Sequence, residues 1–128
     1  MSARPALALI AAAGMAYAAT GAADDMPMAG APATVAQWSQ GARLFADLGN
    51  FHRAITTTSP VAQQYFDQGM RLLWAFNHDE STRSFAHATL VDPACAICYW
   101  GVALTVGPNY NLPMMAQQRA TLAHGTSE

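Results

Sequence analysis

Beyond residue 34, apolar residues return at three- and four-residue spacing through most of the chain, which is the period of α-helices with one buried face. Three stretches carry the pattern most clearly: "VAQQYFDQGMRLLWAF" from Val61, "DESTRSFAHATLV" from Asp79 and "ACAICYWGVALTV" from Ala94. Each has its own start signal. Ser59-Pro60 sets an N-cap before a proline at the first helical position, Asn77 with Glu80 makes a capping box, and Asp92-Pro93 repeats the first device. Gly107-Pro108 ends the third stretch. An earlier helix is predicted from Thr34, capped by Gln37, with Val35, Trp38, Ala42, Phe45 and Leu48 on one face and Gly49 as its stop. The intervening "NFHRAITTTSP" is rich in β-branched residues and predicts extended connection. A last helix is predicted from Pro113 to about His124. No strand pair or hairpin turn is visible, so the expected fold class is all-α.

The start of the chain has a different character. Arg4 precedes a small, apolar run from Pro5 to Ala19, and small residues then fill candidate cleavage positions at Ala16-Tyr17-Ala18 or Gly21-Ala22-Ala23, before Asp24-Asp25. This is the build of a secretory signal peptide. The run is too short and too alanine-rich to hold a bilayer core, which takes about 20 apolar residues. The expected organisation is a signal peptide at 1–23, a Pro/Gly/Ala linker at 24–33, an N-terminal helix with its extended connection at 34–58, and a helical domain at 59–128. The mature protein is expected to be exported, most simply to a periplasm, and free of the membrane after cleavage.

Hydrophobic residues make up 52% of the chain and charged residues 11%. With a formal net charge of -2 and no run of like charge, nothing favours nucleic acid as a partner. So few charges on so apolar a chain imply surface that expects a neighbour.

The helix after Ser59 and the helix after Asp92 repeat one another. Tyr65 and Tyr99, Phe66 and Trp100, Gly69 and Ala103, and Leu72 and Val106 are each 34 positions apart. That period, with aromatic, small and large residues at these places, resembles the tetratricopeptide repeat. Ser81, Phe85 and Ala88 match the family's second helix, and Pro93 closes the repeat. The match covers one whole repeat, 62–95, and the first helix of a second, 96–128, whose second helix departs through the longer loop "GPNYNLP". The string from Tyr65 to Asn111 is similar to the opening repeat of a group of exported bacterial tetratricopeptide proteins, usually several times longer, which implies a truncated member or a fragment. The resemblance implies stacked helical hairpins whose first helices line a concave groove. Carried over residue by residue, the groove positions are Gln63, Phe66, Met70 and Trp74, then Ile97, Trp100 and Leu104. This strip is apolar and aromatic, with one amide and no charge. It implies a protein or peptide partner, either an apolar peptide or helix or the remainder of a longer solenoid.

"PACAICYWG" holds the only cysteines, Cys95 and Cys98, spaced C-x-x-C. Covalent haem needs a histidine after the second cysteine, and Tyr99 stands there. A thioredoxin-like couple lacks its βαβ surroundings. A metal ion, with His52, His78 or His87 as further ligands, is open, though no second C-x-x-C or H-x-x-x-H completes a set. A local disulfide is feasible in an exported protein, and plain packing is too, since Cys95, Tyr99, Val102 and Val106 form one helical stripe. No nucleophilic triad or phosphate-cradling loop can be made out. The expectation is a non-enzymatic interaction module with no required cofactor. The alternative is a periplasmic metal-binding or thiol-redox module built on Cys95 and Cys98.

Overall fold

The computed structural model describes residues 32–110, 113 and 117–128. The expected signal peptide and most of the linker lie outside the described residues. Among the described residues there are five α-helices and no strand: α1 (Val35–Trp38), α2 (Pro60–Trp74), α3 (His78–Val91), α4 (Ala96–Val106) and α5 (Gln117–Ser127). The all-α class is as expected.

Local chemistry sets most of the boundaries. The Ser59 hydroxyl accepts from the Ala62 N–H, and Pro60 occupies the first helical turn. Asn77 Oδ1 accepts from the Glu80 N–H, and Asp79 and Glu80 place negative charge at the positive end of α3. The end of α2 is a Schellman turn: the Asn77 N–H reaches the Leu72 carbonyl and the Phe76 N–H reaches that of Leu73. Phe76 adopts a φ of 59° there, where glycine is the usual occupant.

Three boundaries differ from the sequence expectation. The capping box at Thr34 and Gln37 forms, but α1 stops after one turn at Trp38 instead of running to Leu48. Gly41 turns the chain at a φ of 73°, and the following residues run out along α2 instead of coiling. Asp92-Pro93 does not open α4. Asp92 closes α3 and its Oδ1 accepts from the Ala94 N–H, so the helix begins three residues later with Cys95 as its N-cap. The last helix continues past His124 to Ser127.

Contacts fix the packing. Tyr65 meets His87, Phe66 meets Phe85, Gln68 meets Ser84, and Gly69 meets Ser81. The numbers rise along α2 as they fall along α3, so the two helices are antiparallel. Phe85 with Gly101 and Thr82 with Thr105 show the same for α3 and α4. α5 packs on α4, and α1 on α3.

Phe85 is the centre of this arrangement. It is fully buried and lies between two glycines. A Cβ on Gly69 would come within 2.6 Å of its ring, and one on Gly101 within 2.5 Å. Glycine at both places lets α2 and α4 approach α3 closely enough to enclose the ring. The close approach on α4 thus falls at Gly101, while Ala103, the position one repeat beyond Gly69, is half-buried. Hydroxyls line the same contacts without leaving orphans. Ser81 donates to the Gly69 carbonyl at 2.6 Å, and Thr105 donates to that of Gly101 at 2.9 Å.

Candidate functional site

The two faces expected to form the groove have been built differently. On α2, four polar side chains hold an extended arm of the chain, residues 42–58. Gln68 accepts from the Phe45 N–H at 2.7 Å and donates to the Arg43 carbonyl at 2.8 Å. Arg71 donates to the Phe51 carbonyl through Nε at 3.1 Å and through its second nitrogen. Asp67 accepts from the Arg53 N–H at 3.1 Å, while Gln63 donates to the Arg53 carbonyl at 2.8 Å and accepts from the Ile55 N–H at 3.0 Å. All of these bonds go to main chain. The exception is His52, whose Nδ1 lies 2.7 Å from Asp67 Oδ2.

Of the α2 groove positions, Gln63 is therefore engaged by the arm. Phe66 and Met70 are inside the core, because α2 turns that side towards the Phe85 contact. Trp74 remains 56% exposed at the end of the helix, edge-on to Phe51 with ring centroids 4.5 Å apart.

On α4, Ile97 is half-buried, and Trp100 and Leu104 are 46% and 40% exposed. No charged residue occurs between Ala96 and Val106. Two clefts flank the start of this helix. One, of about 600 Å³, lies between Arg53–Thr56 of the arm and Ala94, Ala96 and Ile97. The other, of about 410 Å³, lies between Tyr99 and Trp100 and the end of α5. Gln63 thus bonds the same stretch of arm that shares a cleft with Ile97. Trp100 opens on the second cleft, and Trp74 stands apart with Phe51.

Cys95 and Cys98 are joined as a disulfide, and both are fully buried. It spans the first turn of α4, where Cys95 makes no side-chain capping bond. Both sulfurs are occupied by each other, so neither offers a thiolate to a metal or a substrate in this state. His52 is committed at Nδ1 to Asp67. His78 packs near Phe76, and its Nδ1 is buried without a hydrogen-bond partner. Among the described residues, no three His, Cys, Asp or Glu side chains come together as a metal would require. No described helix is long and apolar enough to cross a membrane.

Sequence reasoning did not single out Asp67, Gln68 and Arg71, which with Gln63 hold the arm. Their signal was present as a polar stripe at Gln63, Asp67 and Arg71, spaced by four. The same stripe describes an ordinary solvated helix face, so it carries information only once the arm is seen against it. No family model, characterised protein or solved structure matches the chain.

Proposed function

We propose that the protein is a non-enzymatic, exported interaction module of tetratricopeptide type, which takes an apolar peptide or helix of another protein, or the next hairpin of a longer solenoid, on the bare face of α4. One observation carries the reading: Trp100 and Leu104 stand open to solvent on a helix without a charge, next to half-buried Ile97. An exposed aromatic anchor with aliphatic neighbours is the composition of an interface core. Three antiparallel helices closing on Phe85 through Gly69 and Gly101 support the stacked-hairpin part of the reading. The Cys95–Cys98 disulfide supports export, since such bonds persist in oxidising compartments.

The test is selection of displayed peptides on the immobilised chain lacking residues 1–23. Apolar sequences are expected to be enriched. Trp100→Ala and Leu104→Ser should each weaken their binding about tenfold, the scale of a moderate anchor. Cys95→Ser with Cys98→Ser should leave the binding in place. Enriched peptides indifferent to Trp100 and Leu104, or a stoichiometric metal lost in the cysteine variants, would remove this reading.

A further inference from the structure

The arm presents a second edge. The Phe51 carbonyl, the Arg53 N–H and carbonyl, and the Ile55 N–H point at α2 and are bonded there. Alternation by two is the behaviour of a β-strand, in which neighbouring residues turn their N–H and C=O groups to opposite sides. Past Ile55 the chain turns, with the Thr57 N–H on the Ile55 carbonyl, so it is His52 and Ala54 that turn their main-chain groups away from α2. None of these main-chain groups has a hydrogen-bond partner among the described residues. The stretch faces the cleft of about 600 Å³ whose far wall is Ala96 and Ile97. α2 thus does for one edge of the arm what a neighbouring strand would do, and the other edge is left open beside an apolar wall.

We infer that this open edge is a docking site for an extended segment of another protein, which pairs its main chain with Ala54, lays an apolar side chain on Ile97 and sets an acidic side chain against Arg53. The charge follows from the lining. Arg53 is the one charged residue of the cleft, and its guanidinium has no ion-pair or hydrogen-bond partner among the described residues. The two nearby carboxylates are already engaged, Asp67 by His52, Gln63 and the Arg53 N–H, and Asp92 by Thr57 and the Ala94 N–H. A strand-forming peptide carrying negative charge completes both the main-chain edge and the cation. The inference rests on the reading of the chain as an interaction module and specifies the form of the partner.

The probe is a fluorescein-labelled decapeptide of alternating valine and glutamate, followed by anisotropy with the chain lacking residues 1–23. Two further versions carry N-methyl groups on the odd or on the even amides, which blocks one peptide edge without touching the protein. One methylated series is expected to bind about tenfold more weakly, and the other within twofold of the parent. Arg53→Glu should also cost about tenfold, at unchanged melting temperature. Ala54→Pro, which removes a donor, should abolish binding. Equal effects of the two methylation patterns, or no binding of the parent peptide, would overturn the inference. So would a homodimer that Ala54→Pro dissolves, since the edge would then belong to a second copy. Edge-dependent binding of this peptide that survives Trp100→Ala leaves this site standing, and the α4 strip falls only if the selected apolar peptides ignore Trp100 and Leu104. Selected peptides that depend on Trp100 but ignore Arg53→Glu and N-methylation do the reverse.

Discussion

α2 and α4 flank the same phenylalanine through the same device, a glycine against the Phe85 ring, yet their outer faces have opposite fates. α2 carries Gln63, Asp67, Gln68 and Arg71, and each of them is spent on the arm. One repeat later the same places hold Ile97, Gly101, Val102 and Thr105; the last three are buried, and Ile97 lines a cleft with the arm instead of bonding it. The 34-residue pattern is not kept on the inner face: Phe66 is buried while Trp100 is exposed, and the Phe85 ring meets Gly101 instead of Ala103. The outer face is free to diverge, because polar groups there need only some partner and apolar groups only some cover. In α2 the cover comes from within the chain. On α4, Trp100 and Leu104 have no such cover among the described residues.

The comparison breaks first if the shared centre is removed. Phe85→Ala leaves two glycines facing a cavity and is expected to cost 3–5 kcal/mol, read as a large loss of denaturation midpoint. Gly69→Ala and Gly101→Ala each force a Cβ against a ring that cannot withdraw, at about 1–3 kcal/mol. Combining either with Phe85→Leu should recover part of that loss, and a purely additive double mutant would deny the contact.

A second test separates the two outer faces. Asp67→Ala removes the acceptor for His52, Gln63 and the Arg53 N–H and is expected to cost about 2–3 kcal/mol. Hydrogen exchange should quicken in residues 43–58 and remain slow in α3 and α4. Uniform quickening would mean that the arm is part of the core and not an accessory to α2.

The disulfide comes next. Cys95→Ala with Cys98→Ala opens a loop of only a few residues, which in the chain-entropy account is worth about 2 kcal/mol. The loss should register at the first turn of α4. The smallest effects are expected at the tryptophans. Trp74→Ala gives up its edge contact with Phe51, about 1 kcal/mol. Trp100→Ala should change stability by less than about 0.5 kcal/mol. A stability loss at Trp100 larger than at Trp74 would invert the distinction between covered and bare faces.

Residue chemistry alone was enough for the all-α class and for most helix starts. Ser59-Pro60, Asn77 with Glu80, and Thr34 with Gln37 satisfy orphan N–H groups within three or four residues, so their effect needs no tertiary context. The buried stripe at Cys95, Val102 and Val106 was legible for a similar reason, because periodicity records which side of a helix must leave water, whereas Phe66, expected in the groove, is in the core. Asp92-Pro93 shows the boundary of such reasoning. The pair is equally good as a helix cap and as a turn, and it is used as the turn, with the carboxylate bonded to Thr57 across the molecule.

Only the three-dimensional arrangement decided where the first helix ends and what the polar stripe of α2 is for. The helix predicted to reach Leu48 gives way after Trp38 because Gln68 and Arg71, more than twenty residues away in the case of Gln68, supply the arm's main chain with partners outside a helix. Such bonds exist only after the chain has folded back, and no local spacing can encode them. The same holds for the close approach at Gly101. Repeat spacing pointed to Ala103, but which small residue meets Phe85 depends on how far α4 slides along α3, and that is set by the summed packing of both helices.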